Sequence, residues 1–332
     1  MINLIYFLLS IEGFLRYLLF AGIIDVILIA FVLLNINRLR FNNELLIGLL
    51  ISFLILIKFL LINKSLVEAL VFLRPIVYFL ILVNIFSKIE IIIPNYKYLL
   101  FCILTSFLTA IFTFEKTPPS LSYLNLNAIV SVFFATSLVY RGYKTDFLNL
   151  FIGVLLFSKI LLLWEILKKI IIINKRFLIV TINFLSIFMV TYGLVFSTKF
   201  YIYIKNYPLL DAFFGSLLKR IEDVIPRTLN HLSNDFVIGS DQLIGSKIPS
   251  VDLFPLFPGD NILIYVLGNT GIVGIIFYYL VMIKMVGKYN LSIIFLISLG
   301  LVHNIFDSIA SMIVLAFIVN FERLIKNVNS RN

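Results

Sequence analysis

Apolar runs of membrane-crossing length repeat along almost the whole of this sequence and give way at length only once, between residues 198 and 259. A hydrocarbon layer takes roughly 17 to 25 apolar residues to cross as a helix, the form in which a single segment satisfies its own backbone there. Runs of this kind fall at 2–19, 21–37, 43–62, 67–87, 97–114 and 125–140, then at 177–197, 260–282, 290–304 and 306–322. The apolar tract after Asp146 is broken at Ser158-Lys159, and its basic cluster at Lys168, Lys169, Lys175 and Arg176 belongs on the side of Arg141 and Lys144 if it forms a short hairpin, 146–157 and 160–174. Hydrophobic residues make up 61% of the 332, more apolar surface than a water-soluble globule of this length can bury. The sequence therefore predicts an all-α polytopic membrane protein: one transmembrane domain over 1–332, with about twelve spans (roughly 10 to 12) and one large loop at 198–259.

Charge orients the chain. Arg38, Arg40, Lys88, Lys97, Arg141, Lys144, Lys168, Lys169, Lys175, Arg176, Lys284, Lys288, Arg323, Lys326 and Arg331 fall on one side of this topology, against Lys64, Lys116 and Lys159 in short loops on the other. The positive-inside bias puts both termini in the cytoplasm and the 198–259 loop outside. The first twenty residues lack a basic start and a small-residue cleavage site, and read as a retained span. The net charge of +10 does not point to nucleic acid, since six basic and six acidic residues balance between Ser197 and Gly259. Cys102 is the single cysteine, which excludes an intramolecular disulfide. With the two isolated histidines, His231 and His303, it argues against a metal site, and no phosphate-binding loop or zinc-protease motif occurs.

Within the outer loop Leu209, Leu210, Phe213, Phe214, Leu217, Leu218, Ile221, Val224, Ile225, Leu229 and Leu232 recur at helical spacing. Ser216, Arg220, Asp223, Arg227, Asn230 and Asn234 share the opposite face. Pro226 predicts a kink or restart, and the tract from Gly239 to Gly259 reads as an ordered loop. Arg220 and Arg227 either grip phosphate oxygens as guanidinium forks or meet anionic headgroups from an interfacial helix, with Asp223 paired to Arg227. Asp260 either favours the positive end of the tenth span or orients a sugar and accepts a hydroxyl proton. Lys159, inside an apolar region, is a functional candidate or a snorkelling lysine; for Lys58 snorkelling is the expectation. Arg74, followed by Pro75, is expected to pair with Glu68 or Asp25, and remains a candidate substrate contact beside Lys159, Asn261, Gly239 and His231. Glu12 with Arg16, Lys64 with Glu68, and Glu165 with Lys169 read as structural i,i+4 pairs.

The run from Asp260 to Gly274, DNILIYVLGNTGIVG, resembles the H/D-N-x-x-L-x-x-L-x-x-x-G-x-x-G entry into a late span in the O-antigen polymerase and O-antigen ligase superfamily of bacterial envelope biosynthesis. Arg220 with Gly239 resembles the family's loop arginine and later glycine turn. Arg227 to Gly239 approximates its R-x10-G pattern with one extra residue, and Ser158-Lys159 stands in the place of a Ser-Arg pair. The lysine departs from that arginine, and an aspartate at position 260 favours a repeat-unit polymerase over a ligase. The resemblance implies a metal-free membrane glycosyltransferase working at the outer face of the bacterial cytoplasmic membrane. It would move glycan from an undecaprenyl-pyrophosphate-linked oligosaccharide onto another lipid-linked repeat unit, alongside a chain-length regulator and a flippase. It assigns pyrophosphate to Arg220 and Arg227 with Lys159 in support, and the acceptor to Asp260. The rivals are a ligase acting on lipid A core and, in another class, a flippase or polysaccharide exporter.

Overall fold

The computed structural model describes residues 22–61, 66–89, 144–147, 150–151, 159–173, 180, 184, 188, 191, 200–211, 218, 221–222, 226, 236–239, 244–245, 257–258, 265–276 and 309–329. These are mainly helical. Six helices carry the architecture: α1 (Gly22–Leu34), α2 (Asn43–Leu61), α3 (Leu66–Phe86), α4 (Lys159–Ile173), α5 (Tyr265–Ile276) and α6 (Ile309–Asn329). Short helical turns lie at Phe200–Ile204 and Pro208–Leu210, and β1 (Ile244–Gly245) pairs in parallel with β2 (Phe257–Pro258), bringing together two points of the Gly239–Gly259 tract.

Local chemistry sets the helix ends. Asn42 Oδ1 accepts the Leu45 N–H at 2.9 Å, capping α2, and Glu44 in the first turn meets the positive end of the helix dipole. The α1 helix ends where Asn35 Nδ2 turns back to the Phe31 carbonyl at 2.8 Å, and the chain tightens into a 3-10 turn, Ile36–Arg38, before Leu39 becomes extended. In α3, Pro75 has no N–H, so the Val71 carbonyl lacks its usual helical donor, yet the helix continues to Phe86.

Packing is organised around α3, which lies chiefly against α6 and α2. Gly48 makes the α2 contact close: a Cβ there would sit 2.7 Å from Leu80 Cδ1. From Ser311 to Asn320 every residue of α6 is buried. At one end of these helices the Arg40 N–H donates to Asn84 Oδ1 at 2.9 Å, Asn84 Nδ2 returns to the Arg40 carbonyl at 2.7 Å, and Asn320 Nδ2 reaches the Val83 carbonyl at 3.2 Å. Arg38, Arg40 and Lys88 thus fall at one end of α3.

The expected spans at 21–37, 43–62, 67–87 and 160–174 correspond to α1 with its 3-10 turn, α2, α3 and α4; α5 lies within 260–282. Where the sequence predicts a span at 306–322 the structure has a longer helix, Ile309–Asn329, which runs unbroken through Glu322 and Arg323. The spans at 2–19, 97–114, 125–140 and 290–304 lie outside the described residues, as do most of 146–157 and 177–197. Among the described residues, α2 alone is long and apolar enough to cross a membrane by length and composition.

Two expected charge placements change. Glu165 Oε1 pairs with Lys168, at i+3 and 2.7 Å, while Lys169 is exposed. Lys168 is therefore no solvated loop cation: its side chain is wholly buried, donates to the Lys144 carbonyl at 3.0 Å and lies 5.6 Å from the Trp164 ring centre. The other carboxylate oxygen of Glu165 accepts the Asp146 N–H at 3.0 Å, so this cluster fixes the 144–146 segment against α4. The pairs of Glu12 with Arg16 and Lys64 with Glu68 fall outside what is described.

Candidate functional site

One turn of the 198–259 segment, residues 236–239, meets α5 at Gly271. Asn269 and Thr270 both turn their side chains back along the helix, Asn269 Nδ2 to the Tyr265 carbonyl at 2.8 Å and Thr270 Oγ1 to the Val266 carbonyl at 2.5 Å. Gly271 follows with φ +67°, a left-handed conformation that a right-handed ladder cannot carry through unchanged. The next amide, that of Ile272, donates across to the Phe236 carbonyl at 3.1 Å.

Against this break lies the turn 236–239, which ends at Gly239 with φ +86°. The two glycines are mutually required. A Cβ on Gly239 would stand 2.7 Å from the Gly271 and Thr270 nitrogens, and one on Gly271 would stand 2.1 Å from the Val237 carbonyl oxygen. Candidate Gly239 therefore has a definite physical role, letting two backbones touch. The third member comes from α2: Lys58 Nζ donates to the Asn269 carbonyl at 2.6 Å and also to the Ile238 carbonyl. Lys58, expected to snorkel, is thus engaged by main-chain carbonyls beside two left-handed residues at the end of α2.

Arg74 meets Asp25, one of its two expected partners, Nη1 to Oδ2 at 2.8 Å, and the Tyr78 hydroxyl donates to the other carboxylate oxygen at 3.1 Å. The cluster sits twelve residues before Phe86, about 18 Å along α3 from the end held by Asn84. Arg74 Nε is buried and finds no acceptor among the described residues. With the side chains 30% and 18% exposed, the pair falls between a surface bridge and a buried one. Asp25→Ala is expected to lower stability by about 2 kcal/mol and Arg74→Ala by a similar amount, with the double variant well short of the sum. Additive losses in a double-mutant cycle of chemical denaturation would show the pair to be incidental.

Lys159 opens α4, where the sequence places the end of the short hairpin. Arg220, Arg227, His231, Asp260 and Asn261 lie outside the described residues. Around them Leu218 is half-buried, Ile221 is buried on the predicted apolar stripe, and Glu222 beside it is buried as well. Leu210, assigned to the same stripe, is exposed. No group of three or more His, Cys, Asp or Glu that could hold a metal occurs among the described residues. Sequence reasoning passed over Lys58, Asn269 and Gly271 as a unit. The available signal was the Asn-Thr-Gly triplet inside an apolar run, a turn signature in the middle of a span.

No protein-family model matches the chain, and no similar curated protein or solved structure is found.

Proposed function

We propose that this chain is a polytopic membrane glycosyltransferase of the O-antigen polymerase kind, with about twelve spans, joining lipid-linked repeat units at the outer face of the cytoplasmic membrane. The observation that carries the reading is the position of the Gly239 turn. It lies on α5 beside Lys58, in the last turn of α2, whereas Arg38 and Arg40 precede the first turn of that helix. Lys58 is fifteen residues beyond Asn43, about 22 Å along the axis, so the loop turn and the basic end are separated by most of a bilayer core. The positive-inside rule then puts the turn outside, where a lipid-pyrophosphate donor presents its sugar. Leu46, Ile47, Leu50, Phe53, Leu54 and Ile57 leave an exposed apolar face on α2, and Val26, Ile29 and Leu33 do so on α1; lipid is the solvent that makes such faces favourable. On this reading Arg220 and Arg227, with Lys159, hold the pyrophosphate and stabilise it as it leaves, and Asp260 orients the acceptor.

The Asp25–Arg74 pair at depth and the interrupted α5 favour a second reading, a flippase or exporter, because paired charges and broken helices line transport paths. Deletion separates the outcomes. Surface glycan one repeat unit long is the polymerase result. Long lipid-linked polymer with a bare surface indicates a ligase, and single lipid-linked units retained inside indicate a flippase. Arg220→Ala and Arg227→Ala are each expected to reproduce the deletion phenotype with the protein still inserted, and normal chain length in either would remove that arginine from the site.

A further inference from the structure

We propose that Lys58 is a built-in cation for the outer loop: its ammonium occupies a site made of main-chain carbonyls at the α5 break and pins the 236–239 turn there. The carbonyls belong to Asn269, two residues before left-handed Gly271, and to Ile238, one residue before left-handed Gly239. Broken helices of membrane proteins expose such carbonyls and commonly satisfy them with a bound alkali ion. Here a primary ammonium from α2 does so, across sequence separations of 180 and 211 residues. An ammonium suits this site because it is a compact donor of three hydrogens on a flexible stem, able to serve two carbonyls at once. A neutral side chain of the same length takes the ammonium's hydrogens from both carbonyls and releases the turn, and with it the Ile272 N–H bond to the Phe236 carbonyl. The pin therefore ties the 236–239 turn to the Gly271 break inside α5, and Lys58 acts as a positioning residue.

The test converts lysine to a neutral side chain and back. In the full chain carrying Cys102→Ser, Lys58→Cys removes the ammonium. Alkylation with 2-bromoethylamine forms a carbon–sulfur bond, expels bromide and restores an ammonium on a stem of the original number of atoms. Iodoacetamide adds comparable bulk without charge. Amide exchange at Ile272 is followed by mass spectrometry on purified protein, with the 66–86 peptide as a measure of the rest of the bundle. The expected result is Ile272 exchange about tenfold faster or more in Lys58→Cys, brought back near the parent rate by aminoethylation but not by carbamidomethylation, with the 66–86 peptide unmoved. Unchanged Ile272 exchange, equal rescue by both reagents, or acceleration in 66–86 that aminoethylation leaves in place would overturn the pin. Its consequence for catalysis rests on the polymerase reading: in cells Lys58→Cys is expected to shorten the surface glycan. Normal chain length beside fast Ile272 exchange leaves the pin standing and counts against that reading.

Discussion

Replacing Lys168 by methionine is expected to cost about 3–5 kcal/mol, because it strands a carboxylate that has almost no water to turn to. The Glu165 side chain is 4% exposed and that of Lys168 is not exposed at all. Methionine fills the volume of the stem, so the loss isolates the charge. Two main-chain groups depend on the same cluster: the Lys144 carbonyl loses its donor at once, while the Asp146 N–H keeps Glu165 as its acceptor. Glu165→Gln is expected to be damaging in the opposite sense, leaving a buried ammonium without its counter-charge. The double variant Glu165→Gln, Lys168→Met removes both charges yet retains an acceptor for the Asp146 N–H, and should recover about 1–3 kcal/mol of the summed losses. Trp164, the single tryptophan and itself fully buried beside Lys168, reports unfolding directly through its emission. A Lys168→Met variant within about 1 kcal/mol of the parent would mean that the ion pair adds little beyond the packing of the stem.

This cluster also shows what kind of information a sequence carries. The helix bounds were legible because they rest on local chemistry: α2 begins where Asn42 can cap it, and α1 ends at Asn35 and Leu39. Asp25 was a legible partner for Arg74, since a cation within an apolar run needs a counter-charge and few acidic residues lie in those runs. The choice of Lys168 over Lys169 was not, because both are within reach of Glu165 on a helix and the decision belongs to what buries that face, here Trp164 and the 144–146 segment. Lys58 was illegible for a stronger reason. Two of its acceptors are main-chain oxygens, which every residue has, and they lie beside the left-handed residues Gly239 and Gly271. No side-chain pattern records such a partner. Of the candidate site, Gly239, Arg74 and Lys159 lie among the described residues; the two loop arginines, His231, Asp260 and Asn261 stand on the sequence alone.

Gly271→Ala is expected to detach the loop turn from α5, with a stability loss of about 3–5 kcal/mol. Three contributions act together. Holding a residue with a Cβ in the left-handed region costs about 1–2 kcal/mol before any contact is considered. The new Cβ would lie 2.1 Å from the Val237 carbonyl oxygen and 2.6 Å from the Ile238 nitrogen, both backbone atoms that cannot rotate aside as a side chain can. The turn must therefore retreat, and the bond from the Ile272 N–H to the Phe236 carbonyl and the lysine bond to the Ile238 carbonyl go with it; a charge-assisted bond alone is worth about 1.5–3 kcal/mol. Gly48→Ala is the natural control. It also crowds a close contact, yet the atoms it meets at 2.7 and 2.8 Å are the terminal methyls of Leu80, which can shift, and the Gly48 backbone carries no left-handed angle. Ile272 amide exchange should rise steeply in Gly271→Ala and stay near the parent rate in Gly48→Ala. Equal exchange in the two variants would mean that the break in α5 is held by something other than the glycine crossing. If the polymerase reading is right, Gly271→Ala should also shorten the surface glycan while Gly48→Ala leaves it long, since only the former moves the 236–239 turn away from the break in α5.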